Sequence, residues 1–221
     1  MDLELKDLIN SDIKGLTPYE PGKPIEDLER EYGIKNAIKL ASNESPLGPS
    51  PKVLEVLKEV ISGIHRYPDG NGSRLKEALS TRHSVSTDML TLGNGSNDII
   101  ELVARCFLTP NDNAVYSKHA FAVYPLVTQS LGAQGVEVEA KDWGHDLQAM
   151  LDAINDKTKV VFIANPNNPT GTFLERNEII RFLEKIPSEV IVLLDQAYFC
   201  LLYTSDAADE GLGVDLGGRR I

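Results

Sequence analysis

The chain has 221 residues, of which 42% are hydrophobic, enough for a core in one large domain or in one domain and part of a second. Its formal net charge of −11 argues against nucleic acid or an anionic membrane as a partner, because no basic surface is available. It contains no apolar run of membrane-spanning length and no signal-peptide pattern at its N-terminus. The two cysteines, Cys106 and Cys200, and the four histidines show no metal-ligand spacing. We therefore expect a cytoplasmic protein without a metal site.

The first part of the chain contains an arm and a few helices. Residues 1–24 carry several glycines and prolines, which predict an arm rather than a packed element. Hydrophobic periodicity then predicts three helices: 25–32, 51–61 and 73–83. Ser50 and Pro51 provide the start signals of the second, because Ser is a common cap and Pro is tolerated at the first helical position. We assign residues 1–70 to the arm and to part of a small domain.

From Met89 onward, predicted strands alternate with predicted helices. Five short apolar runs predict strands: 90–92, 114–116, 136–138, 160–164 and 190–194. Helical patterns lie between them: 99–108, 123–131, 147–154 and 175–185. This alternation predicts an α/β fold with a mostly parallel, doubly wound sheet, because parallel strands need crossover connections. We assign residues 71–199 to this large domain.

The end of the chain breaks the alternation. Residues 204–221 are rich in Gly, Asp and Ala, and they show no periodicity. A parallel α/β domain rarely stops at a strand whose end carries the chemistry, so we expect the large domain to be incomplete. We interpret residues 200–221 as a non-native tail that arises from a frameshift or from vector sequence. A disordered natural terminus is the alternative.

The most distinctive stretch is a polar loop after the strand predicted at 160–164. Residues 164–171 read Ala-Asn-Pro-Asn-Asn-Pro-Thr-Gly. Each proline lacks an N–H and fixes φ, and Gly171 permits a positive φ, so the strand ends abruptly in a rigid loop. Ligands bind at the carboxyl ends of the strands in open α/β sheets. An ordinary turn is the simpler interpretation, but two Asn-Pro pairs followed by Thr-Gly form a rarer string.

A second candidate site is the glycine-rich segment 93–98, Gly-Asn-Gly-Ser-Asn-Asp, which precedes a predicted helix. Free backbone N–H groups at a helix start bind anions, and glycine allows a phosphate to approach closely. The segment is not a dinucleotide fingerprint, because Asp98 stands where the third glycine would be. It therefore favours a single phosphate. A helix capped by Ser96 or Asn94 is an equally good interpretation of these residues alone.

An acidic residue and two aromatic residues complete the set of candidates. Asp195 follows the apolar strand predicted at 190–194, where a carboxylate is unfavourable unless it meets a cation. Its alternative role is to cap the next helix. Phe121 and Tyr124 are the aromatic candidates, and by themselves they are best interpreted as ordinary core residues.

These segments resemble the loops of fold-type I pyridoxal 5'-phosphate (PLP) enzymes, in particular class I and II aminotransferases of the histidinol-phosphate branch. The resemblance spans roughly residues 16–199. It implies a PLP site built from the following residues: Gly95, Ser96 and Asn97 at the phosphate, Phe121 on the ring face, Asp195 at the pyridine nitrogen, and Asn168 and Tyr198 at the phenolic oxygen. It further implies that Tyr67 reaches the PLP phosphate of the other subunit of a homodimer, and that Asn43 approaches the substrate.

The same resemblance implies an activity, namely transamination of L-histidinol phosphate with 2-oxoglutarate, which yields glutamate, in histidine biosynthesis. An aromatic aminotransferase, a PLP-dependent decarboxylase of a phosphorylated amino acid, and a non-catalytic PLP-binding module are the alternatives. The family's Schiff-base lysine follows the Asp-x-x-Tyr motif, whereas the last lysine here, Lys185, precedes Asp195. The resemblance therefore assigns no catalytic residue, and it implies that the chain as written is inactive.

Three residues differ from those usual in the histidinol-phosphate branch, and these differences bear on the substrate assignment more than on the cofactor assignment. Ser45, Ser73 and Gln196 stand where the branch usually has Asn, an aromatic residue and Glu. Residues 141–146, Lys-Asp-Trp-Gly-His-Asp, also resemble the branch, but the sequence assigns them no chemical role.

Overall fold

The computed structural model describes residues 8–202, which group into two compact units divided between Thr17 and Pro18 and again between Thr87 and Asp88. Residues before Pro18 belong to the same unit as those after Thr87. The expectation of a non-native tail falls on residues 200–221, and all but the first three of these lie outside the described residues. Within the described part of the chain, no helix is both long enough and apolar enough to cross a membrane.

The unit that contains residues 88–202 is built on a parallel sheet of four strands in the order β2-β1-β3-β4. Its strands are β1 (Asn113–Ser117), β2 (Gln134–Val138), β3 (Thr158–Ala164) and β4 (Ile191–Asp195). The predicted α/β class with a parallel sheet is confirmed. The predicted strand at 90–92 is wrong, because these residues pair with no strand in the described part of the chain. A strand needs a hydrogen-bonded neighbour, and a three-residue apolar alternation does not supply one.

Eight α-helices occur in the described residues: α1 (Ser11–Lys14), α2 (Ile25–Tyr32), α3 (Pro51–Val60), α4 (Ser73–His83), α5 (Ser96–Phe107), α6 (Val123–Ser130), α7 (Leu147–Asp152) and α8 (Arg176–Lys185). The bounds predicted for α2 and α4 are confirmed. Part of the predicted arm is packed, because α1 contacts α6. Asn10 caps α1, since its side chain accepts a hydrogen bond from the Asp12 N–H at 3.1 Å.

Helices cover both faces of the sheet. Alternate side chains of β3 point to opposite faces, so that Val160 and Phe162 join one core cluster while Val161 and Ile163 join the other. Helices α5 and α6 contribute to the first cluster, and α7 and α8 contribute to the second. Because all four of these strand side chains are fully buried, β3 is a rigid support for the loop that follows it.

The unit of residues 18–87 contains α2, α3 and α4, and none of its residues is buried. The apolar residues of α3 are about half exposed; Val53 and Leu57 retain 50% and 52% of their accessible surface. The predicted domain boundary near residue 70 stays a prediction.

Candidate functional site

A pocket lies at the carboxyl ends of β3 and β4. The residues that line it are Ser96, Phe121, Ala164, Pro166, Asn168, Asp195, Ala197 and Tyr198. Five of them were predicted from the sequence: Ser96, Phe121, Asn168, Asp195 and Tyr198. The cavity volume is about 40 Å³, far below the several hundred Å³ of pockets that enclose small molecules. The described residues therefore form a small recess rather than a pocket that encloses a small molecule.

The pairing of β3 with β4 brings the asparagine loop to Asp195. Ala164 and Asp195, the last residues of these strands, are register partners. The next amide continues the ladder, because the Asn165 N–H donates to the Asp195 carbonyl at 2.9 Å. The carboxylate and the loop therefore leave the sheet side by side, as expected for polar residues at neighbouring strand ends.

The loop after β3 is held by its own amide side chains. Asn165 is fully buried, and its side chain pairs with the backbone of Leu174, donating to the carbonyl at 3.0 Å and accepting from the N–H at 2.8 Å. Asn167 Nδ2 donates to the His119 carbonyl at 2.9 Å and to Thr170 Oγ1 at 2.7 Å. Both Asn-Pro peptide bonds, at 165–166 and 168–169, are cis. These contacts fix the backbone on both sides of Asn168.

Asn168 and Tyr198 lie close together on the pocket wall. Asn168 Nδ2 approaches the Tyr198 hydroxyl at 3.4 Å, a long hydrogen bond. Both side chains are partly buried. An amide group and a phenol group thus lie next to each other on the pocket wall.

Asp195 is a buried carboxylate that is satisfied by neutral donors. It is 9% exposed, and it accepts hydrogen bonds from the Tyr124 hydroxyl at 2.9 Å and from the Ala197 N–H at 3.1 Å. No lysine, arginine or histidine of the described residues forms an ion pair with it. A desolvated carboxylate next to a pocket attracts a cation strongly. It does not cap a helix, because only the short 3₁₀ turn Phe199–Leu202 follows within the described residues.

Tyr124 was a candidate aromatic residue in the sequence, but its contact with Asp195 was not predicted. Its ring is fully buried, stacked on Phe162 at 4.8 Å and set edge-on to Phe121 at 5.9 Å. Burial first, and then the nearby Asp195 carboxylate, raise the pKa of Tyr124 far above its ordinary value. Tyr124 therefore remains a protonated donor to Asp195. An aromatic residue in the first turn of a buried helix was the only signal, and core packing explained it equally well.

The start of α5 presents free backbone N–H groups. Gly95 precedes the helix with φ 78° and ψ −178°, and no side chain of the described residues caps the first turn. The predicted capping by Ser96 or Asn94 is not observed; instead, Asp98 Oδ2 accepts from the Asn94 N–H at 2.8 Å and from its amide group at 3.0 Å. Ser96 lines the pocket, whereas its two neighbours in the sequence, Gly95 and Asn97, are exposed to solvent. Uncapped N–H groups and the helix dipole favour an anion at this position.

Two predicted residues lie in the other unit. Tyr67 and Asn43 belong to residues 18–87, and the Tyr67 side chain is fully exposed. Their predicted contacts with PLP and substrate stay predictions.

The fold and the pocket together define a class of protein. A doubly wound parallel sheet with a buried acid, polar and aromatic side chains and a helix start at its strand ends is an α/β domain of the kind that binds ligands at that edge of the sheet. Residues 35–215 match the family of class I and II aminotransferases. The chain belongs to this family.

Within this family, the chain is similar in sequence to proteins that are named histidinol-phosphate aminotransferases. The chain is 56% identical over 199 residues to histidinol-phosphate aminotransferase 2 of Pseudomonas fluorescens, which covers 89% of this chain and 54% of the relative. It is 55% identical over 193 residues to histidinol-phosphate aminotransferase 2 of Methylococcus capsulatus, covering 85% and 52%. The chain therefore spans about half the length of the curated relatives it matches.

A solved structure shares the fold and part of the sequence. It is histidinol-phosphate aminotransferase from Sinorhizobium meliloti in complex with pyridoxal-5'-phosphate. The TM-score is 0.78 at 26% identity, and the match covers 87% of this chain and 51% of that one.

Proposed function

We propose that this chain forms the PLP-binding part of an aminotransferase that transfers an amino group between L-histidinol phosphate and 2-oxoglutarate. Relatives that are 56% and 55% identical carry the name histidinol-phosphate aminotransferase, and a structural neighbour holds PLP. The observation that carries the proposal is the buried Asp195 carboxylate beside the pocket, which has hydrogen-bond donors but no cation among the described residues.

Asp195 fits the pyridine nitrogen of PLP. A carboxylate in an apolar environment stabilises a proton on a neighbouring ring nitrogen, because the two opposite charges compensate each other's desolvation. When bound, a protonated PLP ring supplies an electron sink for negative charge at the substrate α-carbon. The role of Asp195 is to hold that proton, and the role of Tyr124 is to hold Asp195 in place through its hydroxyl group.

The start of α5 fits the phosphate group. The free N–H groups of the first turn and the Ser96 hydroxyl offer donors, and the helix dipole adds a favourable potential. Gly95 carries no side chain that would block the approach, and Asn97 adds an exposed amide. A local site of this kind binds an anion in spite of the chain's net charge of −11.

The remaining pocket residues fit the planar ring. Asn168 and Tyr198, which lie next to each other, would hold its phenolic oxygen and so adjust the electron density of the ring, and Phe121 would cover one face. A flat aromatic side chain restricts the tilt of a flat ligand. Five pocket residues thus have a role in binding or orienting one molecule.

The proposal includes the two residues of the other unit. Tyr67 contacts the PLP phosphate of a second subunit in a homodimer, and Asn43 contacts the substrate. The full exposure of the Tyr67 ring supports the first assignment, since an exposed aromatic ring is available to a partner. The proposed location is the cytoplasm, where histidine biosynthesis takes place.

Genetic complementation tests the proposed function. The gene, with its complete reading frame, is introduced into a bacterium that lacks its own histidinol-phosphate aminotransferase. We expect growth without histidine, and no growth with Asp195→Ala at equal protein level. Growth supported by Asp195→Ala, or faster amino transfer from phenylalanine than from histidinol phosphate by the purified protein, would contradict the proposal.

A further inference from the structure

The connection between β2 and α7 is built around a tight hairpin turn. Lys141 and Gly144 exchange backbone hydrogen bonds of 3.2 Å and 2.8 Å. The two central residues, Asp142 and Trp143, have φ values of 51° and 65°, as a type I′ turn requires. A left-handed backbone is unfavourable for a residue as bulky as tryptophan, so other contacts must hold Trp143 in this position.

Trp143 contacts the segment that carries Phe121. Its ring packs on the ring of His119 with centroids 5.0 Å apart and planes tilted by 40°. His119 lies two residues before Phe121, and its carbonyl accepts the hydrogen bond from Asn167 Nδ2. The tryptophan, which is 67% exposed, therefore supports the junction between the Phe121 segment and the asparagine loop.

His145, the residue after the turn, contacts the end of β3. Its side chain is 7% exposed, and Nε2 lies 2.8 Å from the Ala164 carbonyl. A carbonyl only accepts, so Nε2 carries the hydrogen. Nδ1 is buried without a hydrogen-bond partner among the residues described. Among the described residues, the His145 side chain therefore forms its hydrogen bond with Ala164. Ala164 lines the pocket and is the register partner of Asp195.

We propose that residues 141–146 form a positioning clamp, in which His145 holds the end of β3 and Trp143 holds His119. The clamp keeps a fixed spacing around a planar ligand between three pocket residues: Phe121, Asn168 and Asp195. The proposal rests on the proposed function, because the ligand whose position the clamp controls is PLP. His145 and Trp143 act through the backbone of other residues, and neither lines the pocket.

Two substitutions separate positioning from stability. In Trp143→Gly the turn becomes Asp-Gly, a sequence that type I′ turns favour, so the fold should be as stable as before or more stable. The variant nevertheless loses the ring that supports His119. We expect PLP to bind about fivefold more weakly, with a changed circular dichroism of its ring band, at an unchanged or raised melting temperature.

The second substitution removes the hydrogen bond to β3. His145→Leu leaves the Ala164 carbonyl without its donor, and we expect a similar loss of PLP affinity. His145→Gln retains an N–H donor and should bind PLP within about twofold of the wild type. Thr158→Val is the matched control, because Thr158 Oγ1 donates to Asn113 Oδ1 at 2.7 Å at the opposite end of β3. It should lower the melting temperature without changing the dichroism of bound PLP.

Hydrogen exchange of the ligand-free whole chain tests the clamp without PLP. The Asn167 and Gly171 N–H groups donate within the loop to Thr172 and Asn167, at 2.9 Å and 2.8 Å. We expect both to exchange about tenfold faster in Trp143→Gly than in the wild type. The proposal is overturned if Trp143→Gly has the same exchange rates as the wild type and also binds PLP within about twofold of it. This outcome does not depend on whether His145→Leu folds. A wild-type chain that binds no PLP contradicts the proposed function, and the exchange rates then still decide the clamp.

Discussion

At the scale of single residues, the pocket depends on one pair of buried side chains. Tyr124 and Asp195 are 71 positions apart, and their hydrogen bond is 2.9 Å long. Burial of the tyrosine and proximity of the Asp195 carboxylate both raise the pKa of Tyr124, so Tyr124 is the neutral donor of the pair. A charge-assisted hydrogen bond in an apolar region is stronger than one between neutral groups.

The substitution Tyr124→Phe tests this pair. It retains the ring that stacks on Phe162 and removes the donor to Asp195. We expect the free energy of unfolding of the ligand-free chain to fall by about 1.5–3 kcal/mol, because a charged acceptor loses a partner. Urea unfolding measures it. Tyr116→Phe is the control, since Tyr116 is also buried in this core cluster but lies against Gly135. Equal losses in the two variants would contradict the role of the pair.

His145 should make stability depend on pH. Burial lowers the pKa of His145, although its hydrogen bond with the Ala164 carbonyl partly opposes this effect. The unfolded chain takes up the proton near pH 6.5, whereas the folded chain resists it. The contribution to stability is therefore complete above about pH 6.5 and is lost as the pH falls toward the lowered pKa.

The control for this pH effect is His145→Gln, which does not titrate. Urea unfolding between pH 8 and pH 5 should show a larger loss of stability in the wild type than in the variant. The other three histidines are common to both proteins, so the difference isolates His145. Parallel pH profiles would show that His145 titrates alike in the folded and unfolded chains.

At the scale of elements, each part of the pocket is the end of a helix or strand. Asp195 ends β4, the asparagine loop begins after β3, and Ser96 begins α5. The strand ends meet because parallel strands place their carboxyl ends at one edge of the sheet. The start of α5 remains open to a ligand because Gly95 brings no capping side chain.

The helix start requires glycine at position 95. Its φ of 78° and ψ of −178° lie in a region that is essentially restricted to glycine. We expect Gly95→Ala to lower the free energy of unfolding by about 1–3 kcal/mol and to weaken PLP binding through displacement of the α5 N–H groups. Gly15→Ala is the control, because Gly15 has a φ of −97° and an added Cβ would lie 3.5 Å from Gln129 Nε2, an ordinary contact. Unchanged stability and binding in Gly95→Ala would show that the helix start tolerates a side chain.

At the scale of the whole molecule, the two compact units differ in burial. The core residues belong to the unit that contains the sheet, whereas no residue between 18 and 87 is buried. Local stability follows the density of buried apolar contacts, because these contacts determine the free energy of local opening. The two units should therefore differ in how often their backbone hydrogen bonds open.

Hydrogen exchange along the chain measures this difference. We expect the amides of β1 and β3 to be the slowest to exchange, and those of α2, α3 and α4 to exchange orders of magnitude faster. The comparison contains its own control, because α5 and α8 are also helices but pack on the sheet. Equal protection of α3 and α5 would indicate that residues 18–87 are as stable as the sheet unit.

The sequence by itself determined the local features of this protein. Strand and helix alternation gave the parallel α/β class, and hydrophobic periodicity gave the bounds of α2 and α4, because periodicity acts over a few neighbouring residues. Ser96, Phe121, Asn168, Asp195 and Tyr198 could be predicted as pocket residues because the segments that carry them resemble the loops of a known enzyme family, and these five do line one pocket. The strand at 90–92 was wrong because pairing depends on a neighbour that a local pattern does not contain.

Only the tertiary structure decided the contacts between distant segments. The Tyr124 hydroxyl meets Asp195 because helix α6 and strand β4 pack in one core cluster, and His145 meets Ala164 because the connection after β2 returns to the end of β3. The physical reason is that a hydrogen bond depends on distances of a few ångströms, whereas sequence patterns record only what lies within a few turns of the chain.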